Sequence, residues 1–241
     1  MFGWRRRIGY IAPTVIEVVA YDFYRFAPDG VGLVGVTCNI DDWRPDEFEK
    51  GLAQVASAAR YLGSRGVDYV IHGGGPLVVA RGGDYETAIV RDIGHASGVP
   101  ATTGVRAGKD ALRSMGAKRI AIASPYPPRH DEAMAGYLRA GGFEVVLAHG
   151  RELAFKEMQN LPPTEIYRFA RGVIEQAKDL DALYMPCPQW QAAHTVDVLE
   201  RDTGVTVVAY AHATFYSAFK ALGLCDAITG HGRLLASLAK G

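Results

Sequence analysis

The chain has 241 residues, and 49% of them are hydrophobic, which is enough for a substantial core in one large α/β domain or in two smaller ones. The 26 Lys and Arg side chains balance the 26 Asp and Glu side chains, so no global field favours nucleic acid or an anionic membrane as a partner. The three cysteines are widely spaced and suit neither a disulfide framework nor a paired set of metal ligands. Together with an N-terminus that is unlike a signal peptide or a membrane span, they predict a cytoplasmic protein.

Short apolar runs predict seven strands, mostly buried and therefore parallel. In chain order the predicted strands are Ile8–Ala12, Val31–Cys38, Val67–Ile71, Ile120–Ala123, Phe143–Leu147, Ala182–Met185 and Val205–Ala209. Segments of helical period separate them, and the clearest runs from Pro45 to Gly63, with a proline in its first turn and a closing glycine. A looser stretch, residues 150–164, predicts a loop or lid, and a helix is expected from Pro163 onward. The alternation indicates βαβ units with right-handed crossovers.

The second half of the chain resembles the first half, with matching segments in the same order. The matches are RRIGYIAP (6–13) with KRIAIASP (118–125), VDYV (67–70) with LDAL (180–183), SGV (97–99) with TGV (203–205), and ALRSMG (111–116) with AFKALG (218–223). The duplication predicts an α/β fold of two similar doubly wound, Rossmann-like lobes with parallel sheets, related by a pseudo-twofold axis. We expect the first lobe over 1–115 and the second over 116–241, with exchange of strands and helices between them. The active site is expected in the cleft between the lobes, at the carboxyl ends of the strands.

Cys187 follows a predicted strand and stands between two prolines, which is an unusual setting for a cysteine that only fills a core. When Asp181 is matched to Asp68, Cys187 falls on Gly74 in the first half. Loops from both halves are therefore expected to face one cleft, with a thiol on one side and a glycine on the other. Cysteines at both positions would exchange protons on both faces of a carbon atom, whereas a single thiol predicts one-base chemistry.

These motifs resemble the aspartate/glutamate racemase superfamily, and within it the branch that holds arylmalonate decarboxylase and maleate cis-trans isomerase. The resemblance covers almost the whole chain. It rests on RIGYIAPT, GGGPLVVARG, AIASPY, MPCPQW and the closing VVAYAHATFYSAFKALG. Within this branch, the decarboxylase resembles the present arrangement, with glycine in the first-half position and cysteine in the second.

The resemblance implies that Cys187 is the catalytic acid/base, that Gly74 is the vacant first site, and that Tyr126 helps to bind a substrate carboxylate. The decarboxylase follows its first-half glycine with hydroxyl residues, whereas Gly75 and Pro76 stand here. We therefore expect the backbone N–H groups of Gly74 and Gly75 to form an anion-binding nest in their place.

Four further residues are expected to contact the substrate: Thr14, Pro188, Gln189 and His212. Thr14 and His212 have an alternative role as helix N-terminal caps. A helix that begins near Gln189 would direct free N–H groups towards the thiol. If a second base replaces the missing cysteine, the candidates are His72, His130 and His212.

The favoured function is a cofactor-independent decarboxylase that acts on a malonate-like acid through an enediolate-type intermediate. A maleate-type cis-trans isomerase, or a racemase with a non-cysteine second base, is the alternative. A non-catalytic carboxylate-binding protein is the alternative of another class. The expected partner is a small carboxylate or dicarboxylate, with no cofactor, metal, nucleic acid or membrane, and a homo-oligomer stays open.

Overall fold

The computed structural model describes residues 3–240, and within this range eight strands form two four-stranded parallel sheets. The strands are β1 (Arg6–Ala12), β2 (Val31–Thr37), β3 (Tyr69–His72), β4 (Ala101–Thr103), β5 (Arg119–Ser124), β6 (Glu144–Gly150), β7 (Ala182–Met185) and β8 (Thr206–Ala209). The helices are α1 (Glu17–Phe26), α2 (Pro45–Ser64), α3 (Gly75–Val79), α4 (Gly83–Ser97), α5 (Gly104–Ser114), α6 (Pro128–Ala140), α7 (Pro163–Gln176), α8 (Val196–Thr203), α9 (Tyr210–Ala221) and α10 (Gly232–Ala236). Three 3-10 helices span Phe155–Asn160, Gln191–Thr195 and Ser237–Lys240.

The two sheets have the same topology, with strand orders β2-β1-β3-β4 and β6-β5-β7-β8. In the first sheet Ile8 of β1 lies between Leu33 of β2 and Tyr69 of β3, and in the second Ile120 of β5 pairs with Ala182 of β7. Because all the strands of a sheet run in one direction, their carboxyl ends meet at one edge. The predicted two-lobed α/β fold with parallel sheets is confirmed.

Two aspartates at matched positions make the same contacts, which fixes the alignment of the two halves. Asp68 accepts a hydrogen bond from the Arg7 N–H at 2.7 Å, and its own N–H donates to the Arg7 carbonyl at 2.7 Å. Asp181 accepts from the Arg119 N–H at 2.7 Å and donates to the Arg119 carbonyl at 2.9 Å. This equivalence supports the alignment that places Cys187 opposite Gly74.

Several strand boundaries differ from the predicted ones. The strand β2 ends at Thr37 rather than Cys38, and β3 is shifted to Tyr69–His72. The strand β6, which was predicted over Phe143–Leu147, continues to Gly150. The strand β4 was not among the predicted strands. It has three residues, two of them threonines, and lies at the edge of its sheet, so no apolar run marks it.

The helix α2 begins at Pro45 and the helix α7 begins at Pro163, as predicted. Proline is favoured there because the first residues of a helix have no intrahelical acceptor for their N–H groups. The predicted loop before α7 is partly ordered as the 3-10 helix Phe155–Asn160. Within residues 3–240, no helix combines the length and the apolar character that a bilayer crossing requires.

The main hydrophobic core joins the two halves of the chain. The helix α5 follows β4 and packs against α9, which follows the equivalent strand β8. Phe23 of α1 packs against Phe215 of α9 with tilted rings, whose centroids are 4.8 Å apart. The division into lobes 1–115 and 116–241 stays a proposal, and helices from both sides of this boundary share one core.

Glu86 of α4 is a buried carboxylate that links the two halves. Its side chain is 2% exposed. It accepts hydrogen bonds from the Thr103 hydroxyl at 2.7 Å and from the Tyr137 hydroxyl of α6 at 2.9 Å. The ammonium of Lys109 lies 3.5 Å away and the guanidinium of Arg106 lies 3.7 Å away. A buried charge is tolerated only when it is paired and hydrogen-bonded, and these four groups meet that requirement.

Replacement of Glu86 by alanine is expected to lower the free energy of unfolding by about 2–4 kcal/mol, because two hydroxyls and two cations lose their common partner. Urea unfolding measures the change. The matched control is Glu132→Ala on α6, where an exposed pair with Arg139 is removed and the expected loss is about 0.5 kcal/mol. Equal unfolding free energies for the two variants would contradict a structural role for Glu86.

Candidate active site

A cavity of about 30 Å³ lies where strand-end loops of both sheets meet. Loops after β1, β3, β5 and β7 all contribute to it. Its walls are formed by Pro13, Thr14, Ile40, Trp43, Phe48, Gly74, Pro76, Leu77, Tyr126, Phe155, Met158, Cys187, Pro188 and Gln189. Six of the eight residues predicted for the site are therefore brought together: Thr14, Gly74, Tyr126, Cys187, Pro188 and Gln189. The other two, Gly75 and His212, are not part of this wall.

Cys187 is 2% exposed and its sulfur lies 3.9 Å from the sulfur of Met158. Burial raises the pKa of the Cys187 thiol to about 12. The Tyr126 hydroxyl and the backbone N–H groups of Gln189 and Trp190 act in the opposite direction, because hydrogen bonds to sulfur favour the thiolate. Desolvation is the larger effect, so Cys187 carries its proton at neutral pH.

Gly74 faces the thiol from the first half, and its backbone conformation explains why glycine stands there. Its φ is +81° and ψ is +60°, in the left-handed region, and a Cβ atom would meet Leu77 Cδ1 at 2.5 Å. Gly75 follows as the first residue of α3. A left-handed residue followed by a helical one directs successive N–H groups to the same side, which is the geometry of an anion-binding nest.

Tyr126 is positioned by a chain of hydrogen bonds from the buried carboxylate of Asp131. Its backbone N–H donates to the Ser124 hydroxyl at 2.9 Å, and that hydroxyl donates to Asp131 Oδ1 at 2.6 Å. The Tyr126 hydroxyl donates to the carbonyl of Pro186 at 3.3 Å. This bond joins Tyr126 to the cysteine loop, residues 186–190, which carries Cys187. Burial raises the pKa of Asp131 to about 7. Neither Ser124 nor Asp131 was predicted, because their role depends on contacts behind the cavity rather than on a motif.

The helix expected near Gln189 begins two residues later, as the 3-10 helix Gln191–Thr195. The cysteine loop is thus longer than predicted, and Trp190 has an extended backbone. The N–H groups of Gln189 and Trp190 nevertheless act to lower the pKa of the Cys187 thiol, as loop donors rather than as a helix N-terminus. The Gln189 side chain donates to the carbonyl of Val15 at 3.0 Å and so ties this loop to the one after β1.

The structure does not bring the three candidate histidines to the cavity wall. His72 is buried at the end of β3, and burial lowers its pKa to about 4. Burial likewise lowers the pKa of His130 to about 4, and its ring packs against Trp43 with centroids 4.7 Å apart. His212 is 0% exposed, packs edge-on against Phe26 at 5.2 Å, and has a pKa lowered to about 3. All three imidazoles are therefore neutral at pH 7.

A cluster of apolar side chains forms the rest of the wall. The side chains are Ile40, Trp43, Phe48, Leu77, Phe155 and Met158. Several come from irregular or 3-10 segments, where no hydrophobic period marks their direction. In residues 3–240, no group of three or more His, Cys, Asp and Glu side chains is placed to hold a metal ion. The described site therefore combines one protonated thiol, a few hydrogen-bond donors and an apolar wall.

The chain is similar to known proteins in sequence and in fold. The sequence is 29% identical to arylmalonate decarboxylase of Bordetella bronchiseptica over 238 residues, which cover 94% of this chain and 95% of that protein. It is 32% identical to maleate isomerase of Nocardia farcinica over 128 residues, or 52% and 50% of the two chains. The fold matches a mutant of Nocardia farcinica maleate cis-trans isomerase that carries a covalently bound succinylcysteine intermediate, with a TM-score of 0.89, 22% identity, and coverage of 96% and 98%. The family model described as arylmalonate decarboxylase matches residues 8–235, and the chain therefore belongs to the arylmalonate decarboxylase family.

Proposed function

We propose that this protein is a cofactor-independent decarboxylase of a malonate-like acid, with Cys187 as its single thiol acid. The observation that carries the proposal is a buried, protonated thiol that faces a glycine across the cavity. Gly74 has no side chain that exchanges a proton, and no histidine among the described residues lines the wall. One proton donor on one face suits a reaction in which carbon is protonated once.

The first step is loss of CO2 from the acid. The bond between the α carbon and the departing carboxylate breaks, and its electron pair moves into the retained carboxylate, which becomes an enediolate. Donors aimed at these oxygens lower the barrier because negative charge develops there. The backbone nest at Gly74 and Gly75 supplies such donors, and the hydroxyl of Tyr126 supplies another when its proton turns from the Pro186 carbonyl to the substrate. Thr14 supplies another, since its hydroxyl forms no hydrogen bond with any other described residue.

The second step is protonation of the α carbon. The Cys187 S–H bond breaks, its proton goes to the carbon, and the enediolate returns to a carboxylate. The resulting thiolate takes a proton from water to complete the cycle. Because the thiol lies on one side of the planar intermediate, a chiral product forms as one enantiomer. A raised pKa suits this role, since the acid must hold its proton until the carbanion has formed.

Cis-trans isomerisation of a maleate-like acid is the second candidate, because curated relatives of the chain are maleate isomerases. A solved isomerase mutant carries a succinylcysteine intermediate. An equivalent step here would require the Cys187 thiolate to add to the double bond. Burial disfavours that thiolate. The electrostatics of Cys187 therefore support the acid role over the nucleophilic one.

A substrate panel in heavy water separates the candidates. The protein is incubated with substituted malonates, with maleate and with single enantiomers of amino acids, and the products are followed by NMR. We expect CO2 release from malonates, one deuterium at the α carbon, and loss of both signals in Cys187→Ala. Fumarate from maleate, without CO2 release from any malonate, would contradict decarboxylation. If the wild type turns over no member of the panel, and ligand binding is unchanged in Cys187→Ala, the protein is instead a binding protein.

A further inference from the structure

Asp131 is a buried carboxylate that lies behind the cavity wall, in the first turn of α6. It is 3% exposed. Its Oδ1 accepts a hydrogen bond from the Ser124 hydroxyl at 2.6 Å, whereas its Oδ2 is buried and has no hydrogen-bond partner among the described residues. Burial of a carboxylate with one unpaired oxygen costs free energy, so such a group in a native fold calls for a functional explanation.

The backbone around this carboxylate is closely packed. Gly150, at the end of β6, pairs with Ser124 at the end of β5, and the Arg151 N–H donates to the Ser124 carbonyl at 2.9 Å. A Cβ atom at Gly150 would overlap with Asp131 Oδ2 and with the Tyr126 carbonyl oxygen, so only glycine allows this approach. The carboxylate and the residues after β5 are thus fixed relative to each other.

Asp131 influences the site in two ways. Because the Ser124 hydroxyl donates its only proton to Asp131, its oxygen is left to accept a hydrogen bond from the Tyr126 N–H, at 2.9 Å. The carboxylate therefore fixes the direction of the hydrogen bonds that hold Tyr126. Burial is the largest influence on the pKa of the Cys187 thiol, and the negative charge of Asp131 raises this pKa further because like charges repel.

We propose that Asp131 is a positioning residue of the active site, which holds Tyr126 through Ser124 and, once ionised, helps Cys187 to keep its proton. Its role in turnover rests on the proposed function, whereas its effect on the thiol does not. Burial raises the pKa of Asp131 to about 7, so its charge appears as the pH rises through neutrality. Below that pH the neutral carboxyl group leaves the thiol easier to deprotonate, and above it the carboxylate opposes deprotonation.

Few charged groups share this environment. Glu152, in the loop after β6, adds to the effect of burial on the pKa of Asp131, and His130 is neutral at pH 7. The other charged or titratable side chains on α6, β5 and β6 have partners elsewhere: Arg129 with the Trp43 carbonyl, Glu132 with Arg139, Tyr137 with Glu86, Arg119 with Glu144, Arg151 with Glu165, and His149 with the Phe169 ring. A titration between pH 6 and pH 8 that acts on the thiol is therefore assigned to Asp131.

Alkylation of Cys187 tests this effect without any substrate. Wild type, Asp131→Asn and the control Glu132→Gln are treated with a small thiol reagent from pH 6 to pH 8, and modification of the Cys187 peptide is followed by mass spectrometry. The asparagine oxygen can still accept from Ser124, so this variant removes the charge and keeps the hydrogen bond. We expect its rate relative to wild type to rise from about one at pH 6 to about three at pH 8, because only ionised Asp131 opposes the thiolate.

The control changes an exposed carboxylate on the same helix, and its rate relative to wild type is expected to stay near one at every pH. A relative rate for Asp131→Asn that does not rise between pH 6 and pH 8 would overturn the proposal, since loosened packing acts equally at every pH. If the variant does not fold, the wild type decides. Its rate should rise about thirtyfold from pH 6 to pH 8, whereas a rise of about a hundredfold would show a thiol with no such neighbour.

Turnover tests the second part of the proposal and separates its failure from that of the proposed function. Ser124→Ala removes the acceptor of the Tyr126 N–H and is expected to raise KM for the acid about fivefold with a smaller change in kcat, whereas Asp131→Asn keeps KM within about twofold. An unchanged KM in an active Ser124→Ala would refute the positioning of Tyr126 and leave decarboxylation standing. If no acid is turned over, the proposed function fails, and the alkylation rates still decide whether Asp131 acts on Cys187.

Discussion

Replacement of Cys187 by serine is expected to lower kcat/KM for decarboxylation by about 10²–10⁴-fold, which is the range that a positioned general acid contributes. Serine fills nearly the same volume, so the loop and the cavity wall should persist. Its hydroxyl is a far weaker acid than a thiol and gives up its proton to carbon much less readily. The rate is measured as CO2 release under substrate saturation and at low substrate concentration.

Two matched controls show whether the loss belongs to Cys187 alone. Cys225→Ser changes an exposed thiol, and Cys38→Ser changes a buried thiol that lines no part of the cavity. Both are expected to keep the wild-type rate within about twofold, because neither contacts the reacting atoms. A Cys187→Ser variant with a normal unfolding midpoint and wild-type turnover would remove the thiol from the mechanism.

The reactivity of Cys187 towards an alkylating reagent is expected to rise about tenfold per pH unit through the alkaline range, because only the thiolate reacts. Burial disfavours the thiolate and raises the pKa of Cys187 to about 12, so the thiolate fraction keeps increasing up to that pH. A free cysteine derivative levels off above its pKa of about 8.5. At neutral pH this difference makes Cys187 about a thousandfold less reactive than the free thiol.

The shape of the pH profile distinguishes electrostatics from simple shielding. Steric shielding lowers the rate by a constant factor at every pH, whereas a raised pKa moves the plateau. Modification of the Cys187 peptide is measured at a series of pH values at which the fold is intact. A plateau near pH 9 would indicate an ordinary thiol, and it would favour the thiolate chemistry of an isomerase over the acid role.

Sequence patterns predicted the parallel sheets well because each buried strand leaves an apolar run. The matched aspartates Asp68 and Asp181 also identified the repeat, and their equivalent hydrogen bonds show why: each joins the start of a central strand to the start of its neighbour. The strand β4 left no such trace, because two of its three residues are threonines at a sheet edge. Short polar strands depend on tertiary pairing rather than on local propensity.

Residues of the cavity wall were predictable mainly where a residue follows a strand of the repeat. Cys187, Gly74 and Tyr126 follow central strands, so topology alone places them at the carboxyl edges of the two sheets. Trp43 lies in a segment without regular structure, and its position against Tyr126 arises from packing between the two halves. His212 was expected at the ligand, but in the first turn of α9 its side chain is directed into the core at Phe26.

In the proposed mechanism, one thiol delivers one proton to one face of the substrate carbon. The most direct measurement is decarboxylation of a malonate with two different α-substituents in heavy water, followed by chiral analysis and deuterium NMR of the product. We expect a single enantiomer with one deuterium, and no further exchange of the product on prolonged incubation. A racemic product, or continued exchange at the α carbon, would show a second base on the opposite face and would contradict one-thiol chemistry.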